Sequence, residues 1–188
     1  RIAGFWDLNY KQTYPLQDTL VSMRDSLQHG GPDSAGEYIN SDTALGLGHR
    51  RLSILDLSAA GKQPMFLEEW VIVFNGEIYN FVEIRQKLEK EGYQFETGTD
   101  TEVILKAFKA WGKIMVQEFR GFFAFAIFNQ QTETLTLCRD RMGVKPMFEY
   151  WKDGLFMFAS ELKAFHEHPQ FDKTICQNAV SLYLQQGY

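Results

Sequence analysis

The sequence has few cysteines, no excess of positive charge and no long apolar run. Only Cys138 and Cys176 occur among the 188 residues, and two separated cysteines in a chain of this length favour reduced thiols and a cytoplasmic location. The net charge of −5 at pH 7 argues against a nucleic-acid-binding surface, which normally carries a basic patch. Because no apolar run approaches the roughly 20 residues that span a bilayer, we expect neither a nucleic-acid nor a membrane partner.

The remaining composition is that of a globular domain rich in aromatic residues. Hydrophobic residues make up 45% and charged residues 23% of the chain, which excludes a disordered or fibrous protein. The sequence contains 16 Phe and 8 Tyr, and each buried ring removes a large apolar area from water. We therefore expect a thick aromatic core.

Apolar periodicity and turn residues predict runs of strands separated by pairs of helices. Predicted helices cover residues 16–27, 81–91, 99–111, 114–119 and 179–186, and predicted strands cover residues 2–8, 70–74, 122–128, 134–138, 148–151 and 155–159. Asn75-Gly76 predicts a tight hairpin turn, with residues 77–79 as the return strand. This order of elements indicates an α+β protein with antiparallel sheets and helical layers, rather than βαβ units.

Three polar segments at predicted element ends carry groups that can do chemistry, although each has an ordinary structural explanation. Arg51 can bind a carboxylate through two parallel hydrogen bonds, but an Arg-Arg pair alone is more typical of surface ion pairs. The Asn75 amide and the next backbone N–H can form an oxyanion hole, but the same dipeptide is typical of a turn. Asp100 can bind a substrate ammonium group, but carboxylates commonly just cap a helix N-terminus.

The cysteines and histidines do not suggest a catalytic pair or a metal site. Cys138 alternates with apolar strand positions, as an inert buried thiol does, and Cys176 has no His or acidic residue grouped around it. The four histidines lack metal-ligand spacing. We expect His166 and His168 at an exposed helix end.

The order of the polar and glycine-containing motifs is more informative than any one of them. The motifs occupy residues 2–5 (IAGF), 31–33 (GPD), 45–56 (LGLGHRRLSILD), 74–80 (FNGEIYN), 97–104 (TGTDTEVI), 122–126 (FFAFA), 139–146 (RDRMGVKP) and 158–164 (FASELKA). Across nearly the whole chain this series resembles the glutaminase domain of glutamine-hydrolysing asparagine synthetases. That domain is a class II glutamine amidotransferase within the N-terminal-nucleophile hydrolases.

The resemblance implies a fold and a substrate site. The expected fold is a four-layer αββα sandwich of antiparallel sheets, with the site between the sheet ends. Arg51 matches the residue that holds the α-carboxylate of glutamine. Backbone groups near Ile54 and Leu55 would help to position the same substrate.

The resemblance also assigns roles in the chemistry of the amide and in recognition of the amino group. Asn75 and Gly76 match the donors of the oxyanion hole. Glu77 and Asp100 match the groups that bind the α-amino group of glutamine. No metal is implied for this site.

Two positions depart from the family pattern. The family has Arg after the His at the position of Gly30, and it begins Cys-Gly-Ile-Ala-Gly-Phe, so that Arg1 stands in place of the first Gly. The nucleophilic Cys is therefore expected immediately before Arg1, outside this sequence. An α-amino group has an ordinary pKa of about 8 and can act as the base for its own thiol. We expect the chain as it stands to bind glutamine without hydrolysing it.

The resemblance further implies a glutaminase that works with a second domain. Residues 1–171 would form the glutamine amidotransferase type 2 domain, and residues 172–188 would begin the helix and linker to a C-terminal synthetase domain. Glutamine hydrolysis would supply ammonia to that domain, which would use ATP and Mg²⁺ to amidate aspartate or a related carboxylate, whereas the glutaminase domain needs no cofactor. The expected partners are L-glutamine and the synthetase domain of the same protein, with a homodimer as a candidate assembly.

Two other interpretations stay open on the sequence. A chain without its Cys could be a non-catalytic module that keeps the fold for packing against a synthetase domain. Another class II amidotransferase, such as an amidophosphoribosyltransferase or a glucosamine-phosphate synthase, would share much of the pattern. Residues 52–56 and 158–161 favour the asparagine synthetase branch.

Overall fold

The computed structural model describes residues 1–11, 13–52 and 61–187. The strands are β1 (Ile2–Asp7), β2 (Ser34–Asn40), β3 (Leu45–Arg51), β4 (Met65–Leu67), β5 (Trp70–Ile78), β6 (Gly121–Asn129), β7 (Thr134–Arg139), β8 (Phe148–Lys152) and β9 (Leu155–Ala159). The α-helices are α1 (Leu16–Asp25), α2 (Phe81–Lys90), α3 (Asp100–Trp111) and α4 (Gln177–Gln186). Short 3₁₀ helices lie at Gln28–Gly30, Gly112–Gln117 and Leu162–Glu167.

The strands form two antiparallel sheets. The first sheet has five strands in the order β2-β3-β1-β9-β8, and the second has four in the order β4-β5-β6-β7. In the first sheet, β1 lies between β3 and β9, with Ile2 opposite His49 and Ala3 opposite Ala159. The predicted hairpins are confirmed as β6–β7 and β8–β9.

Side-chain alternation gives each sheet two buried faces. In β5, Val73 packs in the layer between the sheets, whereas Phe74 packs against α2 and α3. In β1, Ile2 lies between the sheets, whereas Phe5 packs against α1. One sheet is therefore covered by α1 and the other by α2 and α3. The predicted α+β class and four-layer αββα sandwich are confirmed.

The predicted turn at Asn75-Gly76 is wrong, because β5 runs straight through it. Asn75 pairs with Ala124 and Gly76 with Phe123, in a ladder that continues to Ile78. Gly76 has a φ of +150°, and a Cβ there would collide with the backbone of β6. The glycine thus allows close approach of two strands rather than a reversal of the chain.

The helix at Asp100 begins much as its sequence predicts. The Thr99 hydroxyl accepts a hydrogen bond from the backbone N–H of Glu102 at 3.3 Å, which caps the helix. The Glu102 carboxylate bonds instead to the N–H groups of Glu96 and Thr97 at 2.9 and 2.7 Å, so the reciprocal half of a capping box is absent here. These bonds fix the first turn of α3 against the preceding loop.

The terminal helix stands apart from the layers. None of the residues of α4 is buried. Among the described helices, none combines the length and the apolar character that crossing a membrane requires.

Candidate active site

A cleft of about 230 Å³ lies where the ends of β3 and β5 meet the start of α3. The described residues predicted to bind glutamine all line this cleft: Arg51, Asn75, Gly76, Glu77 and Asp100. The two other predicted positions, Ile54 and Leu55, lie outside the described residues. The fold thus brings into one cavity groups that come from three separate segments of the sequence.

Asn75 offers an unused hydrogen-bond donor to the cleft. Its side-chain nitrogen Nδ2 is buried and has no hydrogen-bond partner among the described residues. An unpaired buried donor is costly, and such groups are found where a ligand supplies the acceptor. By strand alternation Asn75 is on the same face of β5 as Val73, the face that looks toward the other sheet. The amide is therefore placed to hold an oxygen atom of a bound ligand.

Asp100 and Glu77 form the negative part of the cleft. Asp100 is buried, and its Oδ2 accepts a hydrogen bond from the backbone N–H of Ile78 at 3.1 Å. Burial raises the pKa of Asp100 to about 6, the Ile78 N–H opposes this shift, and the nearby charge of Glu77 adds to it. Two carboxyl groups in this setting are stabilised by a cation between them, such as an ammonium group.

Arg50 and Arg51 point to opposite sides of β3. The guanidinium of Arg50 donates to the carbonyl oxygen of Gly31 at 2.9 Å and to the carboxylate of Asp25 at 3.3 Å, so Arg50 ties the strand to the segment around α1. Arg51 lines the cleft instead, and a Cβ on Gly61 would collide with its guanidinium. Arg50 therefore makes structural contacts within the fold, whereas Arg51 is placed where it could contact a ligand in the cleft.

Several residues that line the cleft were missed by the sequence reasoning. His49 is buried opposite Ile2, and burial together with neighbouring positive groups holds its pKa well below the ordinary range, so the ring is neutral. Gln63 accepts from the N–H of Phe74 at 2.6 Å and donates to the hydroxyl of Thr101 at 3.3 Å. Gln63 thus fixes the middle of β5 relative to the first turn of α3. His49 lies within the motif at residues 45–56, but no local pattern marks Gln63, because its role depends on contacts between distant segments.

Lys145 also lines the cleft, at the end of the motif at residues 139–146. Asp140 accepts hydrogen bonds from the N–H groups of Val144 and Lys145 at 2.9 and 2.8 Å. Arg139 donates to the carbonyl oxygens of Gly143 and Lys145 at 2.5 and 2.9 Å. This folded loop explains why the motif combines acidic, basic and glycine residues, and it presents the Lys145 side chain to the cleft.

Arg1 continues the antiparallel ladder at the edge of the cleft. Its backbone nitrogen donates to the carbonyl oxygen of Arg50 at 2.6 Å, and the N–H of Arg50 donates to the Arg1 carbonyl at 2.8 Å. This pairing fixes the backbone before β1 against the end of β3.

The two cysteines lie away from the cleft lining. Cys138 is half-buried in β7, and burial raises the pKa of its thiol, as expected for an unreactive thiol. Cys176 is exposed. Within residues 1–11, 13–52 and 61–187, no group of three or more His, Cys, Asp or Glu side chains is placed to hold a metal ion.

The expectation of an exposed His168 is wrong. The ring is 1% exposed and packs edge-on against the rings of Phe5 and Tyr14, at centroid distances of 5.2 and 4.8 Å. Burial lowers its pKa to about 4. His168 belongs to the core between the five-stranded sheet and α1, since both of its ring neighbours lie there.

Comparisons with known proteins show which family the sequence matches. The sequence matches the family described as a glutamine amidotransferase domain over residues 1–188. It is 39% identical over 193 residues to a glutamine-hydrolysing asparagine synthetase homologue of Methanocaldococcus jannaschii, covering 92% of this chain and 37% of that protein. Asparagine synthetase 3 of Bacillus subtilis is 36% identical over 185 residues, which cover 96% of this chain and 29% of the relative. Asparagine synthetase B of Escherichia coli is 36% identical over 166 residues, with 87% and 29% covered.

A solved structure shares the fold. The glutamine phosphoribosylpyrophosphate amidotransferase of Bacillus subtilis superposes with a TM-score of 0.71 at 22% sequence identity, covering 88% of this chain and 42% of that one. At that identity the likeness concerns the fold alone. The chain spans between 29% and 37% of the length of these three asparagine synthetase relatives. The family match over the whole chain and the asparagine synthetase relatives together show that this chain belongs to the glutamine amidotransferase domain family.

Proposed function

We propose that the cleft binds L-glutamine and hydrolyses its side-chain amide to glutamate and ammonia. The observation that carries this proposal is the unpaired amide nitrogen of Asn75, which lies in the same cavity as Arg51 and Asp100. Glutamine needs a partner for its α-carboxylate, one for its α-ammonium group and one for the oxygen of its side-chain amide. Arg51 supports the first role, Asp100 with Glu77 the second, and Asn75 with the N–H of Gly76 the third.

The nucleophile in this proposal is a cysteine directly before Arg1 in the natural protein. Ile2 lies opposite His49, and Arg1 pairs with Arg50, so the preceding residue would lie opposite Arg51. Strand alternation puts that residue on the same face as Ile2, toward the layer between the sheets. Its side chain would then face the cleft wall that carries Asn75.

The chemistry follows from these placements. The α-amino group of the cysteine accepts the thiol proton, and the thiolate attacks the amide carbon of glutamine. The negative charge on the carbonyl oxygen is held by the Asn75 amide and the Gly76 N–H. The protonated α-amine of the cysteine then returns the proton to the amide nitrogen of glutamine. The carbon–nitrogen bond breaks, and the nitrogen leaves as ammonia. Water attacks the resulting thioester, with the same amine as base, and releases glutamate and the free thiol.

The fate of the ammonia belongs to the same proposal. Relatives whose names describe glutamine-hydrolysing asparagine synthetases are two to four times longer than this chain. We place this domain in front of a synthetase domain of the same protein, which would amidate aspartate or a related carboxylate with ATP and Mg²⁺. A homodimer and a cytoplasmic location belong to this proposal as well.

Measurements on two forms of the protein and on one variant test the proposal. The polypeptide Arg1–Tyr188 should bind L-glutamine in isothermal titration calorimetry and release no ammonia from it. The protein with its natural N-terminus should yield an N-terminal peptide with cysteine before Arg1 in mass spectrometry, and it should release equal amounts of glutamate and ammonia. Arg51→Lys should weaken glutamine binding about tenfold, because a single ammonium cannot reproduce a two-pronged guanidinium contact.

The results that would overturn the proposal are also defined. A natural protein without cysteine before Arg1, and without covalent labelling by a diazoketone analogue of glutamine, would instead be a non-catalytic module with this fold. Absence of glutamine binding to Arg1–Tyr188 would remove the assignment of the cleft itself.

A further inference from the structure

The Arg1 side chain occupies the space at the rim of the cleft that any side chain at position 30 would need. Both residues line the cleft, and a Cβ built on Gly30 would lie 2.8 Å from Cγ of Arg1 and closer still to its Nε. The backbone of Gly30 is outside the left-handed region, so its conformation alone would accept an alanine. The glycine at this position is therefore explained by the Arg1 side chain and not by backbone geometry.

The Arg1 side chain is held at a defined place. Its Nε lies 3.7 Å from a carboxylate oxygen of Glu161 and is buried without a hydrogen-bond partner among the described residues. Glu161 is itself fixed, since it contacts the His29 ring at 2.9 Å and the Lys163 ammonium at 3.4 Å. Packing against Gly30 and attraction to a fixed carboxylate thus hold the Arg1 side chain in place. Pairing with Arg50 holds the Arg1 backbone in place.

The resemblance stated above implies Gly at position 1 and Arg at position 30, whereas this sequence has Arg1 and Gly30. In the structure, Cγ and Nε of Arg1 occupy the space that a side chain at position 30 would need. We therefore expect an exchange of the two residues to be tolerated only when both positions change together.

We propose that Arg1 is a positioning residue for the nucleophile that precedes it, and that Gly30 is required because it leaves room for the Arg1 side chain. This inference rests on the proposed glutaminase function. The proposed nucleophile would be attached directly to the Arg1 nitrogen, so a shift that the Arg1 side chain passes to its own backbone would move the thiol relative to the Asn75 amide. Reaction geometry is sensitive to shifts of about 1 Å, which can reduce turnover by about 100-fold.

A double-mutant cycle in the protein with its natural N-terminus tests the coupling. Gly30→Ala should displace the flexible Arg1 side chain and lower kcat for glutamine hydrolysis by about 10- to 100-fold, with KM changed by less than about twofold. In the Arg1→Gly background the same Gly30→Ala change should alter kcat by less than about twofold, because the contact no longer exists. An equal loss in both backgrounds, or no loss in either, would overturn the inference.

Exchanging the two residues between positions 1 and 30 provides the second test. Arg1→Gly and Gly30→Arg should each lower kcat, and the double variant Arg1→Gly/Gly30→Arg should recover to within about threefold of the starting protein, because it restores one guanidinium and one open space. The rate of covalent labelling by a saturating diazoketone analogue of glutamine, measured at a temperature well below Tm, should rank the variants in the same order as kcat. If instead the variants differ only in Tm and label at one rate, Arg1 is merely structural. If the unsubstituted protein neither hydrolyses glutamine nor is labelled by the analogue, the proposed function fails, but the coupling of positions 1 and 30 can still be tested. A double-mutant cycle on the Tm values of the same variants then reports that coupling.

Discussion

The carboxylate of Asp100 accepts a hydrogen bond from the backbone N–H of Ile78 at 3.1 Å, which ties the first residue of α3 to the last residue of β5. The same strand carries Asn75 and Glu77. This one contact therefore sets the position of the buried carboxylate relative to the Asn75 amide. A site built between a helix start and a strand end is held more rigidly than one built on loops.

Glutamine binding should strengthen as pH rises from 5 to 7. Asp100 binds an ammonium group only when it is ionised, and burial raises its pKa to about 6. The ionised fraction therefore falls about tenfold between pH 7 and pH 5, and we expect the Kd for glutamine to rise by a similar factor. Titration calorimetry on Arg1–Tyr188 across this range measures the change.

The control for this pH dependence is Asp100→Asn, which should bind glutamine weakly and with little change between pH 5 and pH 7. The contribution of Asp100 to the stability of the fold has the opposite dependence on pH. Because the folded pKa of Asp100 lies above the unfolded value of about 3.9, its contribution to stability is present below that value and is lost as pH rises through about 6. A pH-independent Kd in the unsubstituted chain would contradict the assignment of Asp100.

Asn75→Ala should impair catalysis without weakening the fold. The Asn75 Nδ2 atom makes no hydrogen bond in the described part of the protein, so its removal should lower Tm by no more than about 2 °C. Loss of one oxyanion donor typically reduces kcat by about 10²- to 10³-fold. Steady-state kinetics on the protein with its natural N-terminus should show this loss with KM nearly unchanged. A raised KM at constant kcat would instead assign Asn75 to ground-state binding.

Apolar periodicity predicted most strands and helices and the α+β class, because these patterns are local. The four-layer arrangement and the polar site were implied only by the resemblance of the ordered motifs to a known family. The sequence prediction failed at Asn75-Gly76, where the dipeptide that favours a hairpin turn lies inside a continuous strand. The deciding contact is with Phe122 and Phe123 of β6, which are distant in sequence. A local turn preference was therefore overridden by strand pairing that no local pattern reveals.

The sequence also left out the residues that support the site from a distance. Gln63 links the N–H of Phe74 to the hydroxyl of Thr101, and nothing near Gln63 in the sequence marks it for that role. The relation between Arg1 and Gly30 was visible only as two separate departures from a pattern. Their physical connection is the close approach of the Arg1 side chain to Gly30, which the fold brings together.

Gly76→Ala should destabilise the whole domain. The φ of +150° and the collision of a Cβ with the carbonyl oxygen of Phe122 leave no room for relaxation by a flexible side chain, so we expect a loss of about 2 kcal/mol or more in the free energy of unfolding. Gly98→Ala is the matched control, since a Cβ there meets no atom within 4 Å. Urea denaturation of both variants measures the difference, and equal stabilities would show that β5 and β6 can separate at this point.

His168→Phe should make the domain less sensitive to acid. Burial lowers the pKa of His168 to about 4, below its ordinary value of about 6.5. The unfolded chain therefore binds a proton between these values that the folded chain excludes, and stability is lost as pH falls through this window, by up to ~3 kcal/mol. A phenylalanine keeps the edge-on packing against Phe5 and Tyr14 and has no proton to bind. Urea denaturation at pH 7 and pH 4.5 should give a smaller difference in unfolding free energy for the variant than for the unsubstituted chain. An unchanged difference would show that groups other than His168 govern the acid response.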